Sequence, residues 1–242
     1  MPYAKHLLVK TPPDQSTLWK YLDLAKFLSL ITSSSLHFTR LDTFEDPYEG
    51  AYSNPLILQN MIEKESDPDR KKKYQFKQLA ERSGARHKKH FFVSCWHSNR
   101  LESAAMWKLY ALNEYGLAIR STVKRLKECL VDSEVDIQIG KVKYKDYNIE
   151  SIPSGNVFYP VTHKRLSFEY EQEVRALIWF NGQDNLPKEP YYSININVKS
   201  LIDYIYVSPT APDWIVPLVK DICLKYGFKI PIVKSDLMKL TY

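Results

Sequence analysis

The chain has 242 residues, 44% apolar and 26% charged, which suits one large domain or two small ones around a substantial core. Its net charge of +6 allows a polyanionic partner but also serves solubility. Three cysteines without a CxxC spacing argue against a disulfide framework or structural zinc site, and no run approaches the ~18 apolar residues of a membrane-spanning helix.

From the N-terminus, MPYAKHLLVKTPPD lacks the sustained apolar segment of a signal peptide. Cys95, Cys129 and Cys223 suit reduced thiols, so the expectation is a soluble cytoplasmic protein with no membrane partner. Leu18 to Tyr21 reads as a short strand. In DLAKFLSLITSS, Leu24, Phe27, Leu28 and Ile31 share one helix face. LHFTR alternates as a strand and runs into the turn FEDPYEG. A charged break follows at about 62–90, KESDPDRKKKYQFKQLAERSGARHKKH for most of its length. The pattern predicts a solvated helix over Asp69 to Arg82, ended by Gly84. This segment is either an exposed helical insertion or a nucleic-acid-contacting arm carrying Arg70 to Lys73 and Arg86 to Lys89.

Beyond the break, HFFVSCW is a strand, ESAAMWKLYAL a helix with Gly116 after it, and GLAIRS the next strand. TVKRLKECLV is a short amphipathic helix, IQIGKVKY an alternating strand, and Ser151 to Gly155 a loop. Gln172 to Phe180, SININ and IDYIYVSP add strands. PDWIVPLVKDICLKYG is a final helix from near Asp213 to Gly227, and KIPIVKSDL an edge strand. About eight or nine strands and four or five helices predict an α+β class, with a largely antiparallel, twisted sheet and packed helices in one domain over 1–242.

GxGxxG, GxxxxGK, HExxH and GxSxG are all absent, and only seven glycines occur, so any nucleotide must be held by aromatics, arginines and side-chain hydrogen bonds. Three clusters stand out. In the first, Asp46 and Glu49, with Asp42 and Glu45, either surround a metal or a ribose or form an acidic capping turn anchored by Phe44 and Tyr48. The second follows the strand end Ser94-Cys95-Trp96-His97. There Ser103, Met106, Trp107 and Tyr110 share a helix face, as a core stripe or as a wall beside anion-binding N–H groups at Ser103. Cys95 is a weak nucleophile candidate because the spacing assigns it no base. In the third, Glu169, Glu171 and Glu173 fall on one face of an extended segment, with His163, Lys164, Arg165 and Arg175 as counter-ions. That arrangement is either a surface ladder of ion pairs or a set of partly buried carboxylates with a raised pKa.

LWKY, LHFTRLDTFEDPYEG, FFVSCWH, ESAAMWKLYALNEYGLAI, HKRLSFEYEQEVRA and IYVSPTAP together resemble an uncharacterised bacterial and phage family catalogued as a domain of unknown function. The resemblance runs from about Leu18 to Tyr226. The order of elements is also similar, more faintly, to ADP-ribosyltransferases, which split NAD at the nicotinamide–ribose bond. That likeness implies Glu173 as the late glutamate, with Glu171 and Arg175 beside it, and Trp107 and Tyr110 as the aromatic wall. It also implies Lys20 or Tyr21 as the early-strand residue, where such enzymes place His or Arg; Arg40 or His37 is a substitute.

The resulting expectation is a polar cleft between the FEDPYEG turn, the MWKLY helix and the EYEQEVR strand. Glu173, Glu171 and Arg175 are its catalytic candidates. Tyr21, Arg40, Asp46, Glu49, Ser94, Ser103, Trp107, Tyr110, Lys164 and Arg165 are its substrate-binding candidates. The leading reading is an NAD- or nucleotide-using transferase of ADP-ribosyl type, and the family resemblance suggests phage defence or a toxin-like role. One alternative binds or cleaves nucleic acid, with Asp46, Glu49, Glu171 and Glu173 around a magnesium ion. Another is a non-enzymatic interaction module.

Overall fold

The computed structural model describes residues 3–51, 55–111, 115–150, 152–153, 156–182 and 186–239. Strands are β1 (Thr17–Leu22), β2 (Ser35–Arg40), β3 (Phe91–His97), β4 (Leu117–Thr122), β5 (Ile137–Lys141), β6 (Lys143–Lys145), β7 (His163–Arg165), β8 (Glu173–Trp179), β9 (Tyr191–Asn195), β10 (Tyr204–Val207) and β11 (Ile232–Lys234). Helices are α1 (Leu24–Ser33), α2 (Pro55–Lys64), α3 (Pro68–His87), α4 (Ala104–Tyr110), α5 (Val123–Cys129), α6 (Phe158–Val161), α7 (Val198–Leu201) and α8 (Ile215–Lys225). The class is α+β, with a mostly antiparallel nine-stranded sheet; among the described strands β10 and β11 pair in parallel within it. β6 and β7 form a separate parallel pair.

The sheet divides at β3. One edge of β3 pairs with β8 along its whole length, from Phe91↔Trp179 to His97↔Glu173, and β8 in turn carries β5. The other edge is shared. β1 meets it at Trp19↔His97, while β2 takes Thr39↔Val93 and Arg40↔Phe92. From there β4, β10 and β11 extend one wing and β9 the other.

Both faces of the central strands are covered. Phe92, Trp96, Val174, Ala176 and Ile178 join the main core with Phe27 and Ile31 of α1, Leu126 of α5 and Val219 of α8. Phe91, Val93 and Leu177 point to the opposite face, against Phe158 and Val161. On that face Trp19 and Tyr21 of β1 pack on Met106 and Trp107 of α4. Burial on two faces explains why FFVSCWH reads as a continuous apolar run rather than an alternating one. The loops add local determinants. Asp23 caps α1 by accepting from the Lys26 amide at 2.7 Å, and Ser34 closes it in the left-handed region at φ 48°. Gly140 of β5 has no room for a side chain, because a Cβ there would lie 2.3 Å from a methyl of Val9.

Several expected boundaries move. α3 runs through Gly84 to His87, because one interior glycine costs only about 1 kcal/mol and helix formers follow it. The predicted strand over 137–144 breaks at Val142, whose amide turns to the Glu173 carbonyl at 2.9 Å. β6 then leaves the sheet for β7. α4 starts at Ala104 rather than Glu102, and its predicted end at Leu112 lies outside the described residues. Residues 151, 154 and 155 of the predicted loop lie outside them too. Among the described residues no helix is long and apolar enough to cross a membrane.

Candidate functional site

Glu171 and Glu173 are not neighbours on one strand. Residues Leu166–Glu171 form a 3-10 turn, Gln172 adopts the left-handed conformation at φ 41°, and β8 begins at Glu173. The corner is held from three sides. The Gln172 amide donates to the Glu169 carbonyl at 3.0 Å, and the Ser98 amide donates to the Gln172 carbonyl at 3.0 Å. His97 Nδ1–H donates to the Glu171 carbonyl at 2.6 Å. This corner turns both carboxylates inward while Glu169 remains exposed, so the expected row of three does not form. A surface ladder is excluded as well, since Glu171 and Glu173 are only 4% and 5% exposed.

The centre is Arg175, completely buried opposite Cys95 in the register of β3 and β8. Its Nε and Nη2 grip the two oxygens of Glu173 at 2.8 and 2.9 Å. Nη2 also reaches both oxygens of Glu49 at 2.9 and 2.8 Å, and Nη1 donates to the Val161 carbonyl at 2.8 Å. The fixed fork of a guanidinium suits this bidentate arrangement. Lys164 supplies the second cation, with Nζ 2.5 Å from Glu171, 3.0 Å from Glu49 and 3.6 Å from Glu173. Glu49 arrives from the FEDPYEG turn, which is pinned by its own amide bond to the Asp46 carbonyl and by Lys88 Nζ on the Pro47 carbonyl. Three carboxylates and two cations thus share one dry volume.

Burial and charge act in opposite directions on these groups. Burial pushes the Glu173 carboxyl up, but Arg175 and Lys164 outweigh it and hold the group at about 2. Glu171 moves the other way. Its burial dominates, Lys164 only partly offsets it, and its carboxyl lies above the usual range. Tyr110 donates its hydroxyl to Glu171 Oε1 at 2.7 Å, and burial followed by the Glu171 carboxylate keeps that phenol protonated. The Cys95 thiol is raised well above normal by burial and then by Glu173, which disfavours the thiolate that a nucleophile needs. Burial lowers His163, which donates to the Tyr159 carbonyl and not to the carboxylates, so it is not their counter-ion.

The turn, the helix and the strand therefore meet, but Lys164 and Arg175 fill the space between the acids where a cleft was expected. Asp46 stands at the rim and pairs with Arg165 at 2.9 Å. The Arg165 guanidinium lies 4.5 Å from the Tyr48 ring centroid and 5.2 Å from that of Phe168. Tyr110 and Tyr170 are 41% and 43% exposed beside Glu171. Tyr21, Ser103 and Trp107 form a neighbouring layer. The Ser103 amide donates to the Tyr21 hydroxyl at 2.7 Å, so it is not open to an anion. Trp107 packs edge-on to Tyr21 and gives its indole N–H to Glu102 at 2.9 Å. Ser94 accepts from Lys20 on the opposite face. Arg40 is engaged elsewhere, on Asp42 at 2.7 Å.

Sequence reasoning missed Tyr144, whose hydroxyl accepts the Glu173 amide at 2.7 Å, and Phe168, whose ring lies 4.6 Å from Lys164 Nζ. Only the aromatic spacing on either side of the charged block hinted at them.

A magnesium site does not fit this arrangement. The lone pairs of Glu49, Glu171 and Glu173 are committed to Lys164 and Arg175, and those of Asp46 to Arg165. Among the described residues no group of three or more His, Cys, Asp or Glu is set to hold a metal ion.

No family model and no curated protein matches the chain. Among solved structures, Thermus sp. 2.9 DarT in complex with ADP-ribosylated ssDNA aligns over 94% of this chain and 97% of its own. The TM-score is 0.40 and the sequence identity 9%, a likeness too loose to assign a role to any residue.

Removing the central cation strands two buried carboxylates. Arg175→Ala should cost about 3–5 kcal/mol in urea denaturation, several times the effect of Lys124→Ala at the exposed Lys124–Glu128 pair. Acid acts on the same pair. Glu173 has a folded-state pKa below its unfolded value, so its contribution is present above the unfolded pKa and is lost as pH falls toward about 2. Stability should therefore drop by on the order of a few kcal/mol between about pH 5 and 2, and Glu173→Gln should flatten that slope. Glu171, with a raised pKa, opposes the trend in part: its contribution is present at low pH and is lost as pH rises through its folded value.

Proposed function

We propose that the chain is a transferase of ADP-ribosyl type that takes NAD as substrate, with Glu171 and Tyr110 at the reacting centre. The observation that carries this reading is the Glu171 carboxylate. It is desolvated, held by Lys164 and by the Tyr110 hydroxyl, and placed beside a rim of exposed tyrosines. Splitting a nicotinamide–ribose bond develops positive charge at the ribose carbon. A preorganised carboxylate in a low-dielectric setting stabilises such charge without reorganising. Glu173, locked by Arg175, would fix the electrostatics and orientation of Glu171 rather than meet the substrate. Tyr110, Tyr170 and Phe168 would offer faces for the flat nicotinamide, and the partly exposed Arg165 a partner for the diphosphate.

A second reading has its own observation. In α3 and the residues just after it, Arg70 to Lys73, Lys77, Arg82, Arg86, Lys88 and Lys89 face only Asp69 and Glu81 in the sequence, so the chain's whole positive excess is concentrated there. Arg70, Lys72 and Lys73 are exposed. Such a helix suits a nucleic-acid backbone, either as the acceptor of the transfer or as a bound partner without turnover.

Incubation with NAD should release nicotinamide above a protein-free control. Glu171→Gln should lower that rate by about 10²-fold or more while thermal unfolding stays close to wild type. No release from the wild-type chain, or an unchanged rate in Glu171→Gln, would overturn the proposal. For the second reading, binding to single-stranded DNA or RNA should weaken steeply with salt. Reversing Arg70, Lys72 and Lys73 to Glu should abolish it, and salt-independent binding would count against it.

A further inference from the structure

α3 packs on α2 along one side. Lys71, Tyr74 and Gln78, at three- and four-residue steps, are its half-buried positions, and Tyr74 lines the crevice between the two helices with Met61. Phe76 follows Tyr74 by two residues, about 200° around the helix, and so points away from α2. It is 71% exposed. Packing against the body of the protein is therefore not what this phenylalanine supplies.

A single exposed apolar residue is ordinary on a protein surface, so the neighbours of the ring decide what it can do. The charged residues at three- and four-residue spacing from it are Lys73 and Lys72, both basic. Arg70 continues the row, three residues before Lys73. The nearest acid on that side, Asp69, lies two turns back. Arg70, Lys72 and Lys73 are exposed, and among the described residues no carboxylate pairs with them. No ring or cation among those residues stacks on Phe76 either. Helical side chains lean toward the N-terminus, which lays the Phe76 ring toward the turn carrying the two lysines. A free, flat apolar face thus stands beside unpaired cations.

We propose that this side of α3 binds single-stranded nucleic acid, with an unstacked base on the Phe76 ring and the adjoining phosphates on Arg70, Lys72 and Lys73. The inference rests on the nucleic-acid reading of α3 and goes beyond it, from charge alone to the strandedness of the partner. A single strand presents phosphates and free base faces together, and stacking on an aromatic ring tolerates any base. A duplex keeps its base faces inside the stack and shows only edges and phosphates. An acidic polypeptide carries the charge without the row of flat faces.

The full chain is titrated with a labelled oligothymidylate, with the same strand carrying abasic sites in place of its bases, with a duplex of equal length, and with polyglutamate. The oligothymidylate should bind about tenfold more tightly than the abasic strand, and more tightly than the duplex or polyglutamate. Phe76→Ala should remove that advantage, weakening the oligothymidylate about tenfold. Its Tm and its slope of log affinity against log salt should stay at wild-type values, because neither packing nor a phosphate contact is lost. Phe76→Trp should keep the advantage, and the double change Lys72→Gln, Lys73→Gln should instead flatten the salt slope by about 1. Polyglutamate binding as tightly as the oligothymidylate, salt-insensitive binding, or no binding at all overturns the nucleic-acid reading and this inference with it. Salt-sensitive binding that the abasic strand or the duplex matches, or that Phe76→Ala leaves unchanged, sinks the stacked base alone and leaves the charge reading standing.

Discussion

A guanidinium with no access to water lies at the middle of this sheet, and the surrounding structure is arranged to make that tolerable. An isolated buried charge is prohibitive, so Arg175 must find full compensation within reach. It finds Glu173 two residues back on its own strand, Glu49 from the turn after β2, and the Val161 carbonyl from the end of α6. Three separate parts of the chain are thereby tied to one side chain. Lys164 then neutralises what remains of the acids and brings in Glu171. The FEDPYEG turn, the segment 158–165 and the 3-10 corner are anchored through these contacts as much as through apolar packing.

Such a network is poor value as a source of stability alone, because apolar side chains of similar volume often do as well. What it does produce is an uneven electrostatic landscape. Glu173 is held ionised, while Glu171, on the side of the cluster toward Tyr110 and Tyr170, is desolvated and less fully compensated. Two carboxylates two residues apart thus acquire different characters. The difference comes from which of them faces the guanidinium and which faces the tyrosines. The same logic recurs on the other face, where Lys20 is held by the neutral acceptors Ser94 Oγ and the Cys95 carbonyl, and among the described residues it pairs with no carboxylate.

Much of the framework was legible from residue order. The apolar run FFVSCW, the i, i+3, i+4 spacing of Leu24, Phe27, Leu28 and Ile31, and the periodic helix before Gly227 each reflect local burial patterns that tertiary packing did not override. The charged stretch after Lys64 was readable as helix because strong helix formers, Lys, Gln, Ala, Glu and Arg, fill its interior. The charged cluster was readable in its members more than in its geometry. Glu171, Glu173, Arg175, Lys164 and Glu49 do converge, but not through strand alternation, since Gln172 adopts a left-handed conformation uncommon for a residue with a Cβ. The branch of the sheet at β3 left no local signal, because it depends on which strand reaches which part of one edge.

By itself, then, the order of residues determined the α+β class, the approximate elements, the lack of any glycine-rich phosphate loop, and the concentration of charge around positions 164–175. These follow from periodicity and composition, which act over a few residues. The folded chain alone decided that Arg175 is sealed, that Lys164 occupies the space between the acids, that Trp107 packs inward and Tyr110 outward, and that Lys20 is held by Ser94 Oγ and the Cys95 carbonyl. Each of those outcomes depends on contacts between segments far apart in sequence, and burial, which sets the strength of every charge here, exists only once those segments have met.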